Sequence, residues 1–155
     1  MAIIDLNSRL AGSGSTDSFM GYELIAGAGG FRSLSGKAPV HNLTVTDITT
    51  AGAGTYTAAQ LAGGLITRDP AGAGRTDTTD TAANLIAGTP ALSRDGDTLF
   101  CYVINTADAA EAITLAGGTG VTVSNVGQTI AQNESALLIF KRTSSTAVTL
   151  YIVGA

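Results

Sequence analysis

The stretch that decides the fold is Asp97-Thr98-Leu99-Phe100-Cys101-Tyr102-Val103-Ile104-Asn105, in which six consecutive apolar residues follow a turn sequence. Alternate side chains of a strand point to opposite faces, so a strand here would be apolar on both faces. The two sets are Leu99, Cys101 and Val103 on one face and Phe100, Tyr102 and Ile104 on the other. A short buried helix shows the same run, but the length and the aromatic content favour a strand. The pattern therefore predicts a central strand that is covered on both sides.

Alternating apolar residues elsewhere predict about eight short strands in all, at a spacing typical of all-β domains. The other predicted strands lie near residues 43–49 and at residues 65–67, 113–115, 121–123, 128–131, 136–140 and 148–152. Glycine-rich residues 117–120 are predicted to join two of them as a hairpin loop, and residues 143–145 to join the last two. The sequence therefore predicts an all-β fold, a jelly-roll-like β-sandwich with one or two short helices.

The two helices are predicted before the central strand. Residues 57–60 (Thr-Ala-Ala-Gln) have the spacing of a capping box, and the two glycines after this helix would end it. A second helix over residues 80–88 would be capped by Thr79 or Asp80. Residues 68–80, which connect the helical regions, are predicted as a polar loop.

Residues 1–55 differ in composition from the rest and are predicted as an extended Gly/Ala-rich arm, with residues 56–155 as the β-sandwich domain. Eleven of the twenty glycines fall in the first 64 residues, which opposes a compact local fold. A disordered tail is the alternative, but such tails are usually charged and poor in apolar residues. We interpret the segment as an arm that orders on another surface, its own subunit's or a partner's. The predicted partner contacts are Ile3, Ile4, Leu6, Phe19, Met20, Tyr22, Leu24, Ile25, Phe31 and Leu34.

The charge content indicates what kind of partner the chain has. Charged residues are 13% of the sequence, against about 25% in typical globular chains, so we expect partners to cover part of the surface. A homotrimer would provide such cover. The net charge of −4 argues against nucleic acid as a partner. No apolar run reaches the roughly 18 residues of a membrane span, and the N-terminus lacks the apolar core of a signal peptide, so synthesis in the cytoplasm is expected.

No motif for nucleotide binding or nucleophilic catalysis is recognisable. Gly36-Lys37 lacks the serine or threonine and the upstream glycine of a phosphate-binding loop. His41 is the only histidine, and no Ser-His-Asp or Cys-His set can be assembled around it. Cys101 is the only cysteine, which excludes an internal disulfide, and its apolar neighbours predict a buried, unreactive thiol. We therefore expect a protein without enzymatic activity, catalytic residues or cofactor.

Two groups of charged residues remain. Asp69, Asp95 and Asp97 lack the spacing of a calcium loop and are interpreted as turn residues, so no metal site is expected. A flexible loop is bracketed by two arginines and two aspartates in a chain that has few charges. These four residues are Arg68, Asp69, Arg75 and Asp77. They form either an inter-subunit or partner contact, or ion pairs within the chain, and the sequence does not decide between the two.

Several segments resemble a module of tailed-phage virion proteins. They are Thr55-Tyr56-Thr57-Ala58-Ala59-Gln60-Leu61-Ala62-Gly63-Gly64-Leu65-Ile66-Thr67-Arg68-Asp69-Pro70, Arg75-Thr76-Asp77-Thr78, Asn105-Thr106-Ala107-Asp108, Ala116-Gly117-Gly118-Thr119-Gly120-Val121-Thr122 and Val148-Thr149-Leu150-Tyr151. The resemblance covers residues 55–155. It implies a β-sandwich that trimerises, and the size is similar to that of a capsid decoration (cement) protein.

Such a protein would lie on the virion surface, bind the major capsid protein and stabilise the shell by clamping its subunits. The alternative is a receptor- or carbohydrate-binding head of a phage fibre or tail. Sugar sites depend on exposed aromatic side chains. This chain has four tyrosines and no tryptophan, which argues against the carbohydrate-binding alternative. A hydrolase is the third and weakest hypothesis.

Overall fold

The computed structural model describes residues 43–155, which form ten strands and two short α-helices in two sheets. The strands are β1 (Thr44–Ile48), β2 (Thr55–Tyr56), β3 (Gly64–Arg68), β4 (Arg75–Thr79), β5 (Thr98–Asn105), β6 (Ile113–Ala116), β7 (Val121–Val123), β8 (Thr129–Ile130), β9 (Ser135–Ser144) and β10 (Ala147–Val153). The helices are α1 (Ala58–Gly63) and α2 (Ala82–Gly88), with one 3-10 turn at Pro90–Leu92. The predicted mostly-β class is confirmed. The ten apolar arm residues lie outside the described residues, so their role stays a prediction.

Successive strands alternate between the two sheets over most of the chain. The larger sheet has the order β1-β3-β5-β9-β10-β7, and the smaller has the order β2-β4-β6-β8. Because the chain leaves a sheet and returns to it in the same direction, sequential neighbours within a sheet are parallel: β1 with β3, β3 with β5, β2 with β4 and β4 with β6. β1 thus belongs to the same sheet as the central strands.

The hairpin predicted through residues 117–120 is wrong, because β6 and β7 lie in different sheets. β6 pairs with β4 and β8, whereas β7 pairs in parallel with β10. The glycines between them carry the chain from one sheet to the other. Gly118 passes so close to β4 that a Cβ there would lie 2.5 Å from the carbonyl oxygens of Thr79 and Asp80. A close backbone approach, and not a tight turn, accounts for glycine at position 118.

β9 and β10 form the antiparallel hairpin that the sequence predicts at the C-terminal end. Ala136, Leu138 and Phe140 of β9 are buried, as are the alternate apolar residues of β10. These side chains pack with inward residues of the smaller sheet, among them Ile113 and Ile130, in one hydrophobic core. Both sheets therefore depend on the same core for their stability.

Among residues 43–155, the prediction that β5 is covered on both faces is wrong. Leu99, Cys101 and Val103 face the core, but Phe100 is 53% exposed and Tyr102 is 51% exposed. Both α1 and the smaller sheet contribute to the core on the inner side of β5. The outward apolar side chains of the central strand are thus accessible.

Local signals place the helices nearly as predicted. Thr57 and Gln60 form the predicted capping box, and Gly64 in the left-handed conformation ends α1. The cap of α2 is Thr81, not Thr79 or Asp80, because its hydroxyl accepts the amide of Asn84. The polar loop predicted over residues 68–80 is shorter than expected, since it contains strand β4.

Within residues 43–155, neither helix has the length and apolar character that a membrane crossing requires.

Candidate functional site

A charged network lies buried between the sheets at the end of β3. Arg68 lies two residues after Ile66 and so on the same, inward face of β3, and its side chain enters the core from the larger sheet, where it is fully buried. Its Nε donates to Oδ2 of Asp77 on β4 at 2.7 Å. Asp77 is also fully buried, so this ion pair is enclosed by the protein.

The remaining donors of Arg68 hold the segment between β1 and β2. Nη1 donates to the carbonyl oxygen of Thr50 at 2.9 Å, and Nη2 donates to the carbonyl oxygen of Gly52. Asp77 in turn accepts from the amide of Gly54. One side chain pair therefore fixes a connection that has no regular structure of its own.

Tyr56 of β2 completes the network, and no sequence pattern predicted this role for it. Its hydroxyl donates to Oδ2 of Asp77 at 2.8 Å, and its ring is fully buried. Burial, and then the negative charge of Asp77, raises the pKa of the Tyr56 hydroxyl. This tyrosine therefore acts as a neutral hydrogen-bond donor.

The network keeps its ion pair charged. Burial raises the pKa of Asp77, but hydrogen bonds from Arg68, Gly54 and Tyr56 outweigh burial and bring that pKa below its usual value. Burial likewise lowers the pKa of Arg68, but the hydrogen bond and charge of Asp77 outweigh it and raise the pKa. Each group is stabilised in its charged form by the other.

The sequence left open whether the charged residues of the 68–77 loop contact a partner or pair within the chain. Arg68 and Asp77 pair within the chain and are inaccessible to a partner. Asp69 and Arg75 are half-buried and do not join that pair. Oδ1 of Asp69 accepts the amide of Ala71, whose φ of 51° marks a tight turn. An inter-subunit role for Asp69 and Arg75 stays a prediction.

Other acidic side chains near loops also serve local structure. Oδ2 of Asp97 accepts from the amide of Arg94 at 2.7 Å and from the hydroxyl of Ser93, as expected of a turn residue. Oε1 of buried Glu111 accepts the amide of Gly72 at 2.7 Å. In the part of the chain that the structure describes, no group of three or more metal-binding side chains gathers.

The second feature is an accessible apolar surface, which we call the outer face, on the side of the larger sheet away from the core. Strand register places one apolar row across five neighbouring strands. The row consists of Val45, Leu65, Tyr102, Leu137 and Val153. A second, shorter row next to it consists of Phe100, Ile139 and Tyr151.

Polar rows border the outer face at both ends of the strands. Asp47, Thr67 and Ser135 lie on one border, where Ile104 is the apolar exception. Thr98, Lys141, Thr149 and Thr122 lie on the other. Between them, Val45 is 57% exposed, Val153 51% and Tyr151 39%. A contiguous apolar patch with a polar border is typical of an interaction surface.

The sequence contained part of this signal. On β10, Tyr151 and Val153 alternate with buried residues and therefore point outward. On β5, Phe100 and Tyr102 do the same. Only the pairing of both strands with β9 unites them in one patch. The sequence pattern did not predict the patch, because local periodicity does not specify the register between distant strands.

Cys101 faces the core on β5, and burial raises the pKa of its thiol to about 12. We expect the native protein to resist a thiol-specific disulfide reagent at about pH 8, because the reactive thiolate is scarce and enclosed. The denatured chain should react at one thiol per chain. Rapid labelling of the native protein would contradict this placement of the side chain.

No protein-family model, no curated protein and no solved structure matches this chain.

Proposed function

We propose that the protein is a structural virion protein, without enzymatic activity, that binds the outer surface of a tailed-phage capsid and stabilises the shell by clamping major capsid protein subunits. The observation that carries the proposal is the outer face, a broad sheet surface with exposed apolar side chains. Such a surface is suited to docking on another protein. The resemblance of residues 55–155 to a virion module gives the proposal its particular partner.

The buried network supports a structural role. Arg68, Asp77 and Tyr56 direct their hydrogen bonds to each other and to the segment between β1 and β2. No substrate could reach these groups in the folded chain, because all three are fully buried. Their chemistry contributes to one defined arrangement of the two sheets, which is what a shell-stabilising protein requires.

The architecture and assembly that we propose are a jelly-roll-like β-sandwich and a homotrimer. The shared core of the two sheets supports the sandwich. Five of the eight strand pairs within residues 43–155 are nevertheless parallel, unlike the antiparallel pairs of an ordinary jelly roll. The low charge content supports the homotrimer. A three-fold axis would match the quasi-three-fold points of an icosahedral shell.

One observation favours the second candidate, a receptor- or carbohydrate-binding head of a fibre or tail. Phe100, Tyr102 and Tyr151 are exposed and lie close together on the outer face. Carbohydrate sites use aromatic side chains whose rings are apolar and whose hydroxyls form hydrogen bonds. The two candidates therefore involve the same surface but differ in the chemistry of the partner.

Co-sedimentation with empty phage shells that lack the protein tests the proposal. We expect the full-length protein to pellet with shells and to saturate at a fixed number of copies per shell, because the capsid lattice repeats its binding site. Heated shells that carry the protein should stay intact at higher temperatures than bare shells. Absence of shell binding, together with binding to a glycan array, would favour the second candidate and contradict the first.

A further inference from the structure

We infer that residues 44–54, which comprise β1 and the connection from β1 to β2, form a strap that opens as a unit while the other strands and helices of residues 43–155 stay folded. Arg68 is the latch that holds this strap closed. The inference concerns the folded chain alone, so it holds for either candidate function. It follows from the burial of β1, from its hydrogen bonds and from the contacts of Arg68.

The core holds β1 less than it holds the other edge strands. Among the described residues, four strands lie at sheet edges, namely β1, β2, β7 and β8. Tyr56 of β2, Val121 of β7 and Ile130 of β8 are buried, whereas no residue of β1 is. Ile48 packs against the core but is only partly buried. Since burial of apolar side chains is the main stabilising contribution, β1 should detach more easily than the other three.

Within residues 43–155, the hydrogen-bonded ladder of β1 has one neighbour, β3. The carbonyl oxygen of Ile48 accepts the amide of Asp69 at 2.9 Å on this side of β3. The other side of β3 pairs with β5, where the carbonyl oxygen of Arg68 accepts the amide of Thr106 at 2.9 Å. Because successive residues of β3 direct their hydrogen bonds to opposite sides, opening of the strap leaves the bonds between β3 and β5 intact.

Arg68 holds the strap from inside the fold. Its guanidinium donates to the carbonyl oxygens of Thr50 and Gly52 in the connection, and also to that of Ile48 at 3.5 Å. When the strap opens these carbonyl oxygens leave, but Nε of Arg68 keeps its partner, Oδ2 of Asp77, at 2.7 Å. Opening therefore breaks hydrogen bonds without separating the buried ion pair, so it costs less than unfolding of the two sheets.

The strap ends at Gly54, where the chain joins the smaller sheet. The carbonyl oxygen of Gly54 accepts the amide of Thr78 at 2.8 Å, and the Gly54 amide donates to Oδ1 of Asp77. Gly52, two residues earlier, has a φ of 100°, and a Cβ there would meet no atom within 4 Å. The backbone between these two glycines can therefore change direction without disturbing the core.

Opening of the strap would lengthen the connection between residues 1–42 and the two sheets. The strap joins residues 1–42 to the rest of the chain, and its eleven residues would extend to about 36 Å when released. The N-terminal residues would then contact a partner over a greater distance, while both sheets and their core stay folded.

Residue-resolved hydrogen exchange of the full-length protein tests the inference, and β3 supplies the comparison. The amides of Thr67 and Asp69 bond to β1, whereas those of Ile66 and Arg68 bond to β5. We expect the protection factors of Thr67 and Asp69 to be at least about 100-fold lower than those of Ile66 and Arg68, since only the first two lose their partners when the strap opens. Low concentrations of urea should change the first two little, because opening exposes little surface.

Arg68→Lys tests the latch. Lysine keeps a positive charge for Asp77, but it lacks the planar guanidinium that donates to Thr50 and Gly52 together. We expect this variant to lower the protection factor of Asp69 about 10-fold more than that of Ile66, which reports any general loss of stability. If the variant fails to fold, the comparison along β3 of the wild type still decides whether the strap opens.

Thr67→Val is the matched control. It removes an exposed hydrogen bond between β3 and β1, which the Thr67 hydroxyl donates to Oδ1 of Asp47 at 2.8 Å. Loss of an exposed bond should change the protection factors of Asp69 and Ile66 by less than about 3-fold.

Equal protection of all four β3 amides in the wild type would overturn the inference, because β1 would then leave only when the whole fold unfolds. Equal effects of Arg68→Lys on Asp69 and Ile66 would overturn the role of Arg68 as the latch.

Discussion

Replacing Asp77 by asparagine is expected to lower the free energy of unfolding by about 3–5 kcal/mol, because it leaves the Arg68 charge buried without its partner. Both carboxylate oxygens of Asp77 accept hydrogen bonds, Oδ1 from Gly54 and Arg68, and Oδ2 from Arg68 and Tyr56. An asparagine NH2 group would therefore face a donor in either orientation. Urea denaturation measures the loss, and the melting temperature should fall by about 10 °C.

An exposed ion pair in the same chain provides the control. Arg142 lies 2.9 Å from Asp95, whose side chain is 62% exposed. Asp95→Asn should change the free energy of unfolding by about 0–1 kcal/mol, because water already solvates and screens this carboxylate. Equal effects of Asp77→Asn and Asp95→Asn would contradict the structural role of the buried pair.

The Asp77 carboxylate also makes the free energy of unfolding depend on pH in the acid range. Since the pKa of Asp77 is lower in the folded chain than in the unfolded chain, the unfolded chain binds the proton first as the pH falls. The free energy of unfolding should therefore decrease below about pH 4, the ordinary range of an aspartate. Asp77→Asn should reduce this slope. Asp80 should still contribute to the pH dependence in that variant. Burial raises its pKa, but hydrogen bonds with Asn84, Ala58 and Thr81 outweigh burial and lower it.

Gly118→Ala is expected to cost about 3 kcal/mol, the upper end of the usual cost of overpacking. The added Cβ would lie 2.5 Å from two carbonyl oxygens of β4 and the residue after it, and backbone atoms cannot move aside as a side chain can. The Gly118 amide also donates to the hydroxyl of Thr79 at 3.0 Å, so any shift of the loop would lengthen this bond. Thermal unfolding measures the effect.

Gly88→Ala separates this clash from the general effect of replacing glycine. A Cβ at Gly88, the last residue of α2, would meet the Ala58 Cβ at 3.4 Å, an ordinary contact. Alanine also restricts the unfolded chain more than glycine does, so we expect no loss and a gain of up to about 1 kcal/mol. A comparable loss in both variants would contradict the close approach of the 117–120 connection to β4.

Local sequence signals predicted those elements that local contacts form. The capping box at Thr57 and Gln60 joins residues three apart, and the β9–β10 hairpin joins strands adjacent in sequence. Alternation on β10 correctly separated buried Leu150 from exposed Tyr151. In each case the residues that determine the structure lie within one short window.

The topology could not be read in the same way, because the chain alternates between two sheets. The apolar residues of β6 and β7 have the alternation of a hairpin, yet these strands pair with β4 and β10. Alternation reports which side chains of a strand are buried, but it does not report the neighbouring strand. Gly118 had a turn signature in the sequence, although its role is to pass close to another strand.

The buried ion pair was open to two interpretations for a related reason. Arg68 and Asp77 are nine residues apart and lie in different sheets, so no helix or strand period connects them. Arginine and aspartate are seldom buried, and their presence beside glycines indicated an exposed loop. Tyr56 could not be assigned to them at all, since it joins from β2. Burial of polar groups depends on tertiary neighbours, which a single sequence does not specify.

Cryo-electron microscopy of virions that carry the protein tests the proposed shell-binding role. We expect density for this chain repeated over the capsid surface, with residues 43–155 in contact with major capsid protein subunits. Density confined to a fibre or tail tip, with a bare shell, would contradict that role.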